Sequence, residues 1–297
     1  MRPLIFFILL LFVWVSACAP ASKKHRKHYR KAPPMEQSQQ KRPTKSAKAK
    51  PRKSKPTAKL ADPIVRGSVK TSLLPTILNE KDQALMILID AGKYLIGKKK
   101  LSARGSLSEN KSPFTNLAAF YIDRTETTVA QFRKYQPAYD EKPFTGGKDC
   151  PTCPAMGINW IHASKYCRWA GKRLPKEEEW EAAARGIGNF TYPWGEVFLP
   201  ERSNLLGEED GHLFAAPVGS FLTGASASGV MDMAGNVWEW VDDKKSKRPH
   251  PDLRIVKGGG WTSNKSQAHI SFRNHVDLKM NNPTFGFRCA KSLQQKR

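Results

Sequence analysis

The sequence contains no apolar run long enough to span a membrane comfortably. Its longest such stretch, Leu4 to Val15, covers 12 residues, whereas a spanning helix needs about 20. Acidic residues are also scarce, since 26 Asp and Glu stand against 50 Lys and Arg, for a formal net charge of +24. Because Arg2 precedes the apolar run and small residues follow it, residues 1–18 are predicted to be an export signal rather than a membrane span.

Cys18 follows Ser16 and Ala17, as in the lipobox of bacterial lipoproteins. In such a protein Cys18 would become the acylated first residue of the mature chain, and the alternatives are an ordinary signal peptide or an uncleaved anchor. Because Ala19 is not acidic, sorting to the outer membrane is expected. The sequence therefore predicts an envelope protein that contacts the membrane through a lipid on Cys18.

Residues 19–60 have almost no apolar side chains. They carry 15 Lys or Arg against the single acid Glu36, which is +14 of the total charge. Such a segment cannot bury enough apolar surface to offset its ordering entropy, so a disordered, extended tether is predicted. Export disfavours nucleic acid as its partner. An anionic envelope surface and a plain solvated spacer both remain open, and residues 61–85 are interpreted as a connecting segment.

The chain has one CxxC motif, Cys150-Pro-Thr-Cys153, and lacks the partners that would assign it to most known chemistries. A second CxxC or a nearby His would be needed for a zinc site, and a directly following His for haem attachment. No βαβ pattern indicates a thioredoxin fold. The motif could be a redox pair, half of a zinc site or a local disulfide, and the local disulfide is favoured.

Periodicity predicts a few short elements followed by a long irregular region. Met86 to Ile96 is typical of a hairpin around Asp90-Ala-Gly92. Thr128 and Gln131 have capping-box spacing at the start of a helix. A second helix should end at Gly171, and a third should run from Pro175 to Gly186. Beyond Gly186 no long periodic segment occurs, which indicates a loop-rich α+β domain.

The segment Gly229 to Trp240, GVMDMAGNVWEW, concentrates oxygen donors and indoles. Strand alternation would turn Trp238 and Trp240 into the core. An extended loop could direct two carboxylates and two backbone carbonyls toward a hard cation such as calcium. The ligands would be Asp232, Gly235, Val237 and Glu239. The spacing differs from that of an EF-hand, and turn, capping and core roles are the alternative interpretation.

Several motifs in fixed order closely resemble the formylglycine-generating enzyme family, also called the sulfatase-modifying factor domain. The resemblance covers residues 86–292 and implies a single, loop-rich domain related to C-type lectins. The motifs are Tyr121-Ile-Asp-Arg-Thr-Glu-Thr-Thr, Trp169-Ala-Gly-Lys-Arg-Leu-Pro-Lys-Glu-Glu-Glu-Trp180, Tyr192-Pro-Trp-Gly195, Val256-Lys-Gly-Gly-Gly-Trp261 and Phe285-Gly-Phe-Arg-Cys-Ala290.

The resemblance implies two stabilising features. One is a disulfide between Cys167 and Cys289, which oxidising export would favour. The other is structural calcium at two sites. The first would use Asp232, where the family usually has Asn, with Gly235, Val237 and Glu239. The second, whose connecting segment is shortened here, would use Asn204, the backbone of Leu205, Asp210 and the backbone of His212.

The resemblance fails at the catalytic residues. Family oxidases hold copper(I) with two cysteines shortly after the glycines, and alignment on those glycines puts Ser263 and Ala268 at these positions. Gly260 replaces the motif serine. A hydroxyl and a methyl group cannot bind copper(I) as thiolates do. No nucleophile-elbow pattern surrounds Ser263, so catalysis by the family mechanism and a copper cofactor are not expected.

Two functions from different classes remain. The first is a calcium-stabilised binding or scaffold module without catalytic activity, which recognises a protein or an envelope polymer. The alternative is a divergent oxidoreductase or peptide-modifying enzyme that uses the same groove. Arg273, Asn274 and Arg288 are family-like polar residues near that groove, and each could equally support the fold.

Overall fold

The computed structural model describes residues 75–97, 114–188, 190–207, 210–242 and 250–293. They fall in one compact unit, residues 67–297. The predicted signal, the lipidation site at Cys18, the tether and most of the connecting segment lie outside the described residues. Within the described ranges, no helix has the length and apolar character needed to cross a membrane.

In the described residues, five short strands are followed by three α-helices and then by five more strands. The strands are β1 (Thr76–Leu78), β2 (Leu85–Ile89), β3 (Gly92–Leu95), β4 (Phe114–Leu117), β5 (Phe120–Asp123), β6 (Trp238–Trp240), β7 (Leu253–Lys257), β8 (Asn274–Asp277), β9 (Phe285–Gly286) and β10 (Ala290–Ser292). The helices are α1 (Val129–Tyr135), α2 (Trp160–Trp169) and α3 (Glu177–Arg185). Much of the remaining described chain is loop, so the predicted α+β class is confirmed.

Three sheets organise these strands. The first has the order β1-β2-β5-β10 and is antiparallel throughout. β3 and β4 form a separate antiparallel pair. The third sheet has the order β8-β7-β6-β9, in which β6 and β9 run parallel. Strand β1 lies in the segment interpreted as a connector, so the folded domain begins before residue 86.

The predicted hairpin across Asp90 to Gly92 is wrong. Both strands form, but β2 lies between β1 and β5, while β3 pairs with β4. The buried side chains of Ile87 and Ile89 on β2 belong to the core cluster that also holds Phe120 of β5. Strand β2 therefore has a hydrogen-bonded neighbour strand on each edge. The chain turns away at Asp90, and β3 then pairs with β4 in a separate sheet.

The helix predictions hold except at one boundary. Thr128 and Gln131 form the reciprocal capping box before α1, and Gly171 follows α2 with a positive φ of 71°. Helix α3 begins at Glu177 rather than Pro175. The Pro175 carbonyl accepts a hydrogen bond from the Asp242 N–H at 2.7 Å, so this stretch pairs with a distant chain segment before the helix starts.

Both predicted disulfides are confirmed. Cys167 of α2 is bonded to Cys289, just before β10, across a sequence separation of 122 residues. Cys150 is bonded to Cys153 within one turn. The long bridge lies in the core cluster that joins α1 and α2 to the third sheet. It therefore connects two parts of the domain that are remote in sequence.

Candidate functional site

The candidate site is built around strand β6, whose three residues are all buried. Trp238 and Trp240 pack in the main core, as predicted from alternation. Between them, Glu239 accepts hydrogen bonds at 2.7 Å from both Nε and an Nη of Arg288. The indole Nε1 of Trp180 donates to the same carboxylate at 2.8 Å. Both oxygens of Glu239 are therefore already bonded to protein donors.

Arg288 is fully buried and ties several chain segments together. Its remaining N–H groups donate to the carbonyls of Asp123, Arg124 and Met231 at 2.8–3.1 Å. Burial disfavours the guanidinium charge, but the carboxylate of Glu239 outweighs burial and holds the pKa of Arg288 above its usual value. Arg288 was predicted either to act near the groove or to support the fold. These contacts show that it supports the fold.

Glu126 is a buried carboxyl beside this ion pair that the sequence analysis did not single out. Its Oε1 accepts a hydrogen bond from Asn236 Nδ2 at 3.0 Å, while no group donates to Oε2. In its protonated form the Glu126 carboxyl is hydrogen-bonded to Asp232. Burial, and then the negative charges of Asp232 and Glu239, raise the pKa of Glu126 well above its usual value. The folded chain therefore holds a proton on Glu126 in a pH range where the unfolded chain does not.

This difference makes stability depend on pH. Because the folded pKa is the higher one, the stabilising contribution is complete below the unfolded pKa and is lost as pH rises toward the folded pKa. We expect unfolding free energy to fall by up to about 1.4 kcal/mol per pH unit in that window. Glu126→Gln should flatten this slope in urea titrations at pH 5–8 with chelator present. Equal slopes in both proteins would contradict the assignment.

Asp232 is the first residue of the first predicted calcium set. It adopts a φ of 60°, and its Oδ2 accepts the Gly219 N–H at 2.6 Å. Burial raises its pKa. In the first predicted calcium set, Glu239 is thus bonded to Arg288 and Asp232 to Gly219. Calcium at this set stays a prediction, with fewer free oxygens than expected.

The second predicted set has a different character. Asn204 is fully buried, its Nδ2 donates to Phe214 O at 2.9 Å, and its Oδ1 has no hydrogen-bond partner. Asp210 accepts the N–H groups of Leu205 and His212 at 3.0 and 2.9 Å. The shortened connection therefore still brings Leu205, Asp210 and His212 together, and Asn204 precedes Leu205 in the chain. Both Asp210 oxygens already accept N–H groups, whereas Asn204 Oδ1 is a buried amide oxygen without a donor. Such an oxygen suits a cation ligand, and in this respect the set fits calcium.

Gly235 places the two sets side by side. Its φ is +85°, and a Cβ added there would lie 2.3 Å from the carbonyl oxygen of Asn204. The next residue, Asn236, donates its N–H to that same oxygen at 2.8 Å and accepts the Ala216 N–H at 2.8 Å. Only glycine permits this approach. Asn236 is a further site residue that sequence reasoning missed.

Across the described ranges, no three His, Cys, Asp or Glu side chains converge as a metal-binding group. Any cation here would need amide and backbone oxygens as part of its ligand set, as calcium accepts. The predicted sets have this composition.

The residues at the expected copper positions are both buried. Ser263 Oγ accepts the Gly260 N–H at 3.0 Å, which closes a tight turn. Ala268 is fully buried with Tyr192, Leu205 and Ala234. A Cβ at Gly259 would lie 3.3 Å from the Ser263 Cβ and 3.4 Å from the Ala268 nitrogen, so both positions lie next to Gly259. Among the described residues, every cysteine is in a disulfide.

A cavity of about 430 Å³ borders the second calcium set. Its lining includes Leu205 and Asp210 of that set and Asn264 and Lys265, which follow Ser263. Arg273, predicted near the groove, instead forms an ion pair through Nε with Glu177 at 3.0 Å. Asn274 lies in β8, opposite Val256.

The fold and these positions define a formylglycine-generating-enzyme-like domain, a loop-rich α+β architecture related to C-type lectins. Residues 74–293 match the sulfatase-modifying factor enzyme 1-like domain, and the chain belongs to this family. The relatives include proteins described both as active and as inactive enzymes, and membership alone does not decide between them.

Two curated relatives illustrate this. The chain is 38% identical over 165 residues to inactive C-alpha-formylglycine-generating enzyme 2 of Bos taurus, covering 50% of this chain and 53% of that protein. It is 34% identical over 168 residues to the formylglycine-generating enzyme of Streptomyces coelicolor, covering 47% and 53%. The chain therefore spans about half the length of these relatives.

Solved structures share the fold. PvdO from Pseudomonas aeruginosa superposes with a TM-score of 0.60 at 25% identity, covering 74% of this chain and 98% of that one. Treponema denticola variable protein 1 gives the same TM-score at 17% identity, with 74% and 99% covered. At that identity the second likeness concerns architecture alone.

Proposed function

We propose that this protein is a binding or scaffold module of the formylglycine-generating family without the family's catalytic activity, stabilised by calcium and held in a bacterial envelope by a lipid on Cys18. The observation that carries the proposal is the loss of both copper-binding thiols. Ser263 and Ala268 occupy the two positions, and the four cysteines of the domain are paired with each other. No thiolate is left there for soft copper(I).

The alternative, a divergent oxidoreductase or peptide-modifying enzyme, draws support from one feature. The 430 Å³ cavity lined by Asn264, the residue after Ser263, carries polar groups from Asp210 and Lys265. Ser263 Oγ, however, accepts from a backbone amide, and His269 Nε2 is 3.0 Å from the hydroxyl of Tyr192. These contacts favour a structural turn over an activated nucleophile.

Formylglycine formation tests the two proposals directly. The full chain, loaded with calcium and offered copper(I), should leave a cysteine-bearing sulfatase-type peptide unmodified, because two thiolates are missing. The measurement is aldehyde-specific mass spectrometry, with the Streptomyces coelicolor enzyme run in parallel. Conversion of the peptide by the wild-type chain would overturn the proposal.

A gain-of-binding variant sharpens that test. Ser263→Cys with Ala268→Cys restores both thiols at the two positions next to Gly259, and we expect it to bind one copper(I) per chain in a competition titration with a chromophoric chelator. The single variants serve as matched controls and should bind copper(I) at least tenfold more weakly. Equal binding by wild type and double variant would show that these positions do not form the pocket.

Calcium is proposed on the strength of the second set, where Asn204 Oδ1 is buried without a donor. Calcium at a concentration 100-fold above Kd should add about 2.7 kcal/mol to the free energy of unfolding. Asp210→Asn should remove most of this gain, because it replaces a charged ligand while keeping an oxygen. Thermal unfolding with calcium and with chelator measures the difference. Asp252→Asn, at a 60% exposed side chain, is the matched control. A gain unaffected by Asp210→Asn would place calcium elsewhere.

The envelope location is supported by the sequence around Cys18, and the partner is proposed to be a protein or an envelope polymer. Metabolic labelling with a radioactive fatty acid should label the full chain and not Cys18→Ser. An unlabelled wild-type chain in the membrane fraction would instead favour an uncleaved anchor.

A further inference from the structure

The disulfide between Cys150 and Cys153 has no role in the proposed binding function. It lines a cavity of about 350 Å³, together with Lys148, His212, Leu213 and Phe214. Cys150 is partly exposed, whereas Cys153 is 4% exposed. The cavity therefore borders both cysteines of the disulfide, and Cys150 is the more exposed residue of the two.

The other disulfide of the domain has the opposite character. Cys167 and Cys289 are both fully buried in the main core. Thiol exchange requires a thiolate to reach a disulfide sulfur, so access separates the two bridges. The long bridge also links two cysteines that are 122 residues apart in sequence, whereas the short bridge links two that are three residues apart. Opening the short bridge thus costs the fold far less restraint.

The turn that carries Cys150 and Cys153 is held in place without its disulfide. The Cys150 N–H donates to Glu141 Oε1 at 3.1 Å. The carbonyls of the next three residues accept hydrogen bonds of 2.9 Å from distant segments, the donors being Ala130, Val218 and Val129. Reduction would leave this backbone anchored and the two sulfurs near each other, ready to pair again.

The reduced state can also form a hydrogen bond that the disulfide cannot form. Cys153 Sγ lies 3.7 Å from the carbonyl oxygen of Ala215. A disulfide sulfur has no proton to donate, but a Cys153 thiol would donate to this oxygen. The surroundings of the buried sulfur therefore accommodate the product of reduction.

We propose that the Cys150–Cys153 disulfide is a reversible thiol-exchange site whose partner is the cysteine thiolate of an incoming peptide or small thiol. The thiolate attacks Cys150 Sγ, a new S–S bond forms, and the Cys150–Cys153 bond breaks. The electron pair leaves on Cys153 Sγ, which takes up a proton and donates to Ala215. A second thiolate then attacks the mixed disulfide and releases Cys150. In total two partner thiols are oxidised to one disulfide, and the Cys150–Cys153 pair gains two electrons and two protons.

Redox titration of the full chain tests the exchange. The Cys18→Ser background removes the remaining cysteine, and the protein is equilibrated in graded mixtures of reduced and oxidised glutathione under native conditions. Alkylation followed by peptide mass spectrometry reports each bridge separately. We expect Cys150–Cys153 to be half reduced at a reduced glutathione concentration at least tenfold below that for Cys167–Cys289, with circular dichroism unchanged. Coincident reduction, or reduction only on unfolding, would overturn the proposal.

Trapping identifies the reactive sulfur and the size of the partner. Cys153→Ser frees the accessible Cys150 thiol, and Cys150→Ser frees the buried Cys153 thiol as its matched control. Both variants are offered oxidised glutathione and a disulfide-linked cysteine peptide. Cys153→Ser should form the mixed disulfide at least tenfold faster. A preference for the peptide would indicate protein thiols, and equal rates a thiol of any size. Equal reactivity of the two variants would count against the site.

Discussion

Replacing Arg288 by Met is expected to lower the free energy of unfolding by about 3–5 kcal/mol, because breaking a buried ion pair leaves an uncompensated charge. The guanidinium faces Glu239 with two hydrogen bonds of 2.7 Å and also binds three backbone carbonyls. Its removal would leave Glu239 with only the indole of Trp180 as a donor. Urea unfolding followed by tryptophan fluorescence, in chelator, measures the loss.

Two variants serve as controls for this loss. Arg273→Met removes a 44% exposed arginine whose ion pair with Glu177 is 3.0 Å long, and it should cost less than about 1 kcal/mol. Arg288→Met combined with Glu239→Gln removes both charges, so it should cost less than the sum of the single changes. If Arg288→Met lost no more than Arg273→Met, the buried pair would not hold this part of the fold together.

The second large effect concerns the disulfides. Cys167→Ala with Cys289→Ala should lower the free energy of unfolding by about 5 kcal/mol in the chain-entropy limit, because the bridge restrains a separation of 122 residues. Cys150→Ala with Cys153→Ala, at a separation of three, should cost only about 2 kcal/mol. Denaturant titrations of both double variants give the comparison. Equal losses would mean that packing rather than loop closure dominates.

Local signals predicted local structure well. The capping box at Thr128 and Gln131 forms as expected, because both partners lie within one helical turn. The boundary of α3 was missed by two residues, since Pro175 bonds to Asp242, a residue that no local pattern connects to it. The predicted hairpin across Asp90 is wrong for the same reason. Strand pairing depends on contacts across the whole sheet, and the apolar pattern of β2 does not specify which strand lies beside it.

The candidate site was likewise predictable from the sequence only in part. The prediction that Ser263 and Ala268 stand where the family has two cysteines came from the sequence, because the chemistry of a position depends on which residue occupies it. Glu126, however, lies 110 residues from Asn236. No spacing rule connects two such residues, so the buried carboxyl beside Asp232 came to light only in the folded chain.

By itself the sequence determined the family, the α+β class and the pairing of the cysteines, because these depend on residue identity and on motifs that are short along the chain. Only the tertiary structure decided which oxygens are already bonded. It pairs Glu239 with Arg288, leaves the buried oxygen of Asn204 without a donor, and leaves Cys150 partly exposed while burying Cys153. Hydrogen bonds and solvent access are set by contacts between distant segments, and these contacts exist only after folding.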